Sequence, residues 1–179
     1  EGLDLSGNAN AQALVAGTLK VKPDKPAEEK VPGHLSKAEK IQWKKGLKVF
    51  NRDAHCGTCH GADGVGAVPN IYPPLVESRW VTGSAERLIK LTLHGLWGPI
   101  EVKGKIYDPK NGIPPMTAFG GLLKDDEIAD VLTYVRNAWG NKGSAVSTED
   151  VKKIRKETTD RGPGMWYKPA ELLKEHPHP

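Results

Sequence analysis

The 179-residue sequence predicts an all-α fold of about three to four helices, whose long loops wrap a large bound ligand, with N- and C-terminal extensions. Three observations lead there. Apolar residues recur at helical spacing in two segments, residues 36–51 and 124–141. The chain between them is dense in Gly and Pro, which suits neither long helix nor sheet. Roughly 55 residues of such chain separate His60 from Met116, and loops of that length are uncommon in a compact domain unless they bind something.

Each element has its own signal. Residues 1–33, with "KVKPDKPAEEKVPG", read as an extended, solvated linker. The domain is assigned to residues 34–141. It opens with "SKAEKIQWKKGLKVFN", where Ser36 and Glu39 have capping-box spacing and Trp43, Gly46, Leu47 and Phe50 fall at i, i+3, i+4 and i+7. "GADGVGAVPNIYPPL" then reads as a wrapping loop. A short helix in "SAERLIKLTLHG" has Ser84 as N-cap and Gly95 as stop. "LWGPIEVKGKIYDPKNGIPPM" reads as irregular chain without regular sheet. The last helix of the domain lies in "KDDEIADVLTYVRNAWGN", with a stripe of Ile128, Val131, Leu132 and Val135 and an acidic first turn. Residues 142–179 form a C-terminal extension with a short helix in "STEDVKKIRKET" and a further turn opened by Pro169.

Composition excludes several functions. The net charge of +4 divides into +3 over residues 1–55, −1 over residues 56–140 and +2 over residues 141–179. With no basic stripe in the middle, nucleic acid is not an expected partner. The apolar run "ALVAGTL" is far shorter than the roughly 18 residues a membrane span needs, so no transmembrane segment is expected in this chain. The start at Glu1 fits a processed or trimmed end without a visible signal peptide, and export must be argued from other features.

Chemistry concentrates in "HCGTCHGADGVG", which holds the two cysteines, Cys56 and Cys59, with His60 directly after. Four readings compete. A thioredoxin-like couple needs alternating strands and helices, which the pattern lacks. A structural zinc site needs two more ligands, and His34, His94, His176 and His178 stand at no recognised spacing. A disulfide across two residues is geometrically poor and staples little. The fourth reading is C-x-x-C-H attachment of one haem c, each thiol adding to a haem vinyl group while His60 supplies an axial imidazole. Its sixth ligand is sought among Met116 and Met165. Met116 ends "GIPPM", where two prolines stiffen the chain beside an apolar wall, and it is the candidate metal ligand with His60.

With those residues in view, the chain resembles the class I, monohaem cytochromes c over residues 36 to about 140: a helix with Gly46 and Phe50, "CGTCHG", a Pro-rich loop, "PPM", and a helix carrying Tyr134. "YPPL", "WVTGS", "LTLHGLWGPI" and "LTYVRNAWGN" look similar to cytochrome c modules fused to or partnered with bacterial periplasmic dehydrogenases. The resemblance implies that Gly46 and Phe50 pack against the face bearing Tyr134. It also implies a periplasmic or otherwise extracytoplasmic location. Lys124 departs from the Ser or Thr cap of such modules, which leaves Asp125 as the expected substitute.

Arg79 and Trp80 are candidates for binding a haem propionate, since buried carboxylates need donors. A solvated Arg and a packed Trp account for them equally. His94 is either a donor to a haem propionate or a helix-end or surface residue, and Tyr72 and Trp97 are either haem wall or plain core. His55 reads as an exposed neighbour of Cys56. The functional expectation is single-electron transfer between redox protein partners, a donor such as a dehydrogenase and a downstream acceptor, rather than enzyme catalysis. The near-neutral middle segment favours docking through an apolar patch or the tails. The uncovered ends suggest a tethered or docked module. The alternative is a haem enzyme or small-molecule sensor with a displaceable sixth ligand.

Overall fold

The computed structural model describes residues 30–53 and 55–178, so most of the expected linker lies outside the described residues. The fold is helical, as expected. Helix α1 (Lys37–Phe50) begins at a reciprocal cap: the Ser36 N–H donates to Glu39 Oε2 at 2.8 Å and the Glu39 N–H donates to Ser36 Oγ at 3.3 Å. The short α2 (Cys56–His60) carries the cysteine motif. A single-turn helix, α3 (Arg79–Thr82), and α4 (Ala85–His94) follow, each with a serine N-cap, Ser78 and Ser84. Helix α5 (Asp125–Val135) closes the domain, and α6 (Thr148–Glu157) and α7 (Pro169–Glu175) lie in the extension.

The organising contact is the crossing of α1 on α5. Gly46 makes it possible, because a Cβ there would stand 2.0 Å from the Asp130 carbonyl oxygen and 2.7 Å from Tyr134 Cβ. Two backbones approach that closely only where a side chain is missing. Around the crossing, Trp43 and Phe50 pack on Tyr134 with ring centroids 5.0 and 5.2 Å apart, and Trp139 closes the cluster 5.4 Å from both Phe50 and Tyr134. This is the packing the family resemblance implied.

Three local expectations need correction. The stretch read as irregular contains a two-stranded antiparallel hairpin, β1 (Ile100–Val102) with β2 (Lys105–Tyr107), and a 3₁₀ turn at Pro109–Asn111. Its two-residue turn has Lys103 at φ 54° and Gly104 at φ 77°, the left-handed pair that matches strand twist. Asp125 does not cap α5. The Lys124 N–H donates to Glu127 Oε2 at 3.0 Å, while Asp125 accepts from Arg155 Nε at 2.6 Å. The C-terminal extension holds two helices rather than one and a final turn, and Val146, Val151, Ile154, Tyr167 and Leu172 are all buried in the common core.

Candidate functional site

The loops between α2 and α5 enclose a cavity of about 290 Å³. Cys56, Cys59 and His60 from α2 line it, as does Met116 from the strap before α5. The remaining wall is largely aliphatic and aromatic: Leu75, Val81, Leu88 and Leu96 from the middle of the chain, Phe119, and the Val131, Leu132 and Val135 stripe of α5. Such a lining rejects a charged metabolite and suits a large apolar ligand.

Short helix α2 turns the cysteine motif toward the cavity. His60 Nδ1 lies 3.0 Å from the Pro73 carbonyl, which assigns its proton to that nitrogen and leaves Nε2 with its lone pair. Burial lowers the His60 pKa, so the ring is a neutral base, as a metal ligand must be. Burial likewise pushes the Cys56 thiol up to about 11. No disulfide joins the two cysteines, and both line the cavity. Among the described residues no three His, Cys, Asp or Glu side chains gather as a metal site.

Met116 is held by its backbone. Its N–H donates to the Leu96 carbonyl at 2.9 Å, and the Leu96 N–H donates back at 3.3 Å. Gly95, at φ +78°, lets the two segments meet, since a Cβ there would stand 2.5 Å from the Met116 oxygen. Met165 lies in the extension, exposed.

The other candidates separate. Trp80 lines the cavity, but its indole N–H donates to the Glu101 carbonyl at 3.0 Å. Arg79 is absent from the wall and its guanidinium sits 3.6 Å from the Glu101 carboxylate, largely exposed. His94 faces the extension, its Nε2 2.7 Å from Thr158 Oγ1. Tyr72 and Trp97 both line the cavity. His55 lies at the edge of the cavity, stacked obliquely on Phe119 at 5.8 Å, so it is more than an exposed neighbour. Ser78, Thr92, Tyr107 and Thr117 also line the cavity and were not singled out by the sequence, since isolated hydroxyl residues carry no spacing signal; the Thr92 hydroxyl donates to Leu88 O and Ser78 Oγ accepts from the Trp80 N–H.

A helical shell closed on an apolar cavity, with two thiols, a neutral imidazole and a thioether in its wall, defines a protein built to hold haem. The Cytochrome c family model matches residues 43–139, and the chain belongs to that family. It is 41% identical over 119 residues to cytochrome c-552 of Thermus thermophilus, covering 62% of this chain and 83% of that one. It is 33% identical over 105 residues to the cytochrome c subunit of a quinone alcohol dehydrogenase from Gluconacetobacter polyoxogenes, covering 56% of this chain and 20% of that subunit. It is also 32% identical over 146 residues to the cbb3-type cytochrome c oxidase subunit FixP of Bradyrhizobium diazoefficiens, covering 75% of this chain and 45% of FixP. Family and motif together assign one haem c, bound covalently through Cys56 and Cys59.

Proposed function

We propose that this chain is a single-electron carrier in which His60 Nε2 and Met116 Sδ would be the protein ligands of the haem iron. The observation that carries the reading is that both cysteines, His60 and Met116 open on one apolar cavity. When bound, the haem supplies the chemistry, a one-electron change at iron. The chain supplies the setting. The Pro73 carbonyl fixes the His60 tautomer and ring plane. The paired backbone bonds to Leu96 hold the Met116 thioether in place, so that no ligand need leave or enter as an electron passes. A neutral thioether favours ferrous iron relative to a second imidazole and so raises the potential. The aliphatic walls exclude water, leaving the protein to bind, orient and insulate. Trp80 belongs to that wall, while the Arg79 guanidinium lies beside the Glu101 carboxylate.

The partners in this reading are an electron donor such as a dehydrogenase and a downstream acceptor, met outside the cytoplasm, in a bacterial periplasm. Similarity to cytochrome subunits of alcohol, gluconate and fructose dehydrogenases supports the donor class. Among the described residues no helix is long and apolar enough to cross a membrane.

Visible and near-infrared absorption of the haem-loaded protein, oxidised and reduced, with and without carbon monoxide, tests the ligation. A weak band at the red edge of the oxidised spectrum, lost on reduction, with no carbon monoxide adduct, is the expected result. A high-spin spectrum or a ready adduct would remove Met116 from iron and bring the enzyme or sensor alternative forward.

A further inference from the structure

Met116 sits on a strap, residues 112–124, that contains no helix and carries Pro114, Pro115, Gly120 and Gly121. Its backbone is anchored on the C-terminal end of α4. Besides the Met116–Leu96 pair, the Phe119 N–H donates to Thr92 O at 2.9 Å and the Gly120 N–H donates to Leu93 O at 3.0 Å. The strap is therefore no firmer than the end of α4 on which it hangs.

That end of α4 is bound from outside by the C-terminal extension. The Trp97 N–H donates to Tyr167 O at 2.9 Å and the Tyr167 N–H donates to Gly95 O at 3.2 Å, so Leu96 is bridged by isolated backbone pairs to Met116 on one side and Tyr167 on the other. Trp166 closes on the same point: its Cδ1 lies 2.6 Å from where a Gly95 Cβ would be, and its ring stacks edgewise on Trp97 at 5.7 Å. The His94 contact to Thr158 adds a third tie. At the far end of the strap, Arg155 of α6 donates through Nη1 to Gly120 O, through Nη2 to Leu123 O at 3.2 Å, and pairs with Asp125 at 2.6 Å.

We propose that the C-terminal extension is the clamp that holds Met116 on the haem iron, with Arg155 and Trp166 as positioning residues for that ligand. The inference rests on the Met116 ligation put forward above. It differs from a general gain in stability because the ties converge on residues 94–97 and 120–125, the two places where the Met116 strap is fixed. Held at both, the thioether has no slack in which to leave iron. Released at either, the strap swings on its glycines while His60, tied to Pro73 elsewhere, stays put.

Full-length, haem-loaded protein and the variants Arg155→Ala, Trp166→Ala and, as a control on exposed α6 surface, Lys153→Ala provide the test. Carbon monoxide binding by the ferrous form, the pH at which the red-edge band disappears from the ferric form, and the midpoint potential are read alongside the thermal midpoint. Loss of charge-assisted hydrogen bonds should raise the population with Met116 off iron about tenfold or more in Arg155→Ala. Faster carbon monoxide binding, earlier loss of the band and a lower potential are expected in both strap variants and not in Lys153→Ala. If both variants lose only thermal stability, with band, carbon monoxide binding and potential as in the parent, the clamp is overturned. A parent protein without the band overturns the ligation itself, before any substitution is made.

Discussion

At the scale of single residues, the division of labour between His60 and Met116 can be measured. His60 is anchored through a side-chain hydrogen bond and sits in the same helix as both cysteines, whereas Met116 is placed by main-chain hydrogen bonds and apolar packing. Met116→Ala should keep the haem, lose the red-edge band, bind carbon monoxide readily and lower the midpoint potential. The drop expected is on the order of 0.2 V, within the roughly 0.8 V over which axial ligands tune haem. Redox titration of the purified variant checks it. Asp130 offers a second measurement, away from the haem. Burial pushes its carboxyl up to about 6, opposed by Lys45 and reinforced by Asp126 and Glu127. A raised folded-state pKa means that its contribution is complete below the unfolded value near 4 and is lost as pH rises through about 6. Asp130→Asn removes that loss. The variant should gain on the order of 1 kcal/mol over the parent at pH 8, after allowance for solvent screening, and nothing at pH 4, in paired denaturant titrations.

At the scale of elements, the α1–α5 crossing depends on one missing side chain. Gly46→Ala would drive a methyl group into the Asp130 carbonyl, and neither backbone can retreat without opening the Trp43, Phe50 and Tyr134 cluster. A loss of about 3 kcal/mol or more is expected, at the upper end for overpacking, seen as a lower denaturation midpoint with the haem still attached. What was legible in the sequence follows the same physics. Helices α1, α4, α5 and α6 announce themselves because caps and apolar stripes are local, and C-x-x-C-H is legible because haem attachment demands neighbouring residues. The β1–β2 hairpin was hidden because its turn is Lys103-Gly104 rather than Asn-Gly, and its strands are three residues long. The role of the Pro73 carbonyl and the place of Leu96 between Met116 and Tyr167 could not be read at all, since backbone groups leave no residue signature. The pairing of Arg79 with Glu101 of β1 was equally illegible, since it joins residues far apart in sequence.

At the scale of the whole molecule, charge and exposed apolar surface together decide how a partner is met. Residues 56–140, which build most of the cavity, carry a net charge of −1, and the excess basic residues lie in the two ends. Near the haem motif, Val65 and Val68 are about half exposed, and Trp97, which lines the cavity, reaches the surface with Lys168 4.5 Å over its ring. A near-neutral segment with exposed apolar residues gains little from long-range attraction and more from the water released when they are covered. The second-order rate of electron exchange with a soluble dehydrogenase or its acceptor should therefore change by less than about threefold as ionic strength rises roughly tenfold. Stopped-flow reduction across that salt range is the check. A steep fall with salt would instead assign docking to the chain that connects the C-terminal helices, because α6 and α7 are together neutral and the excess positive charge of the region comes from Lys142, Arg161 and Lys168 against Asp160.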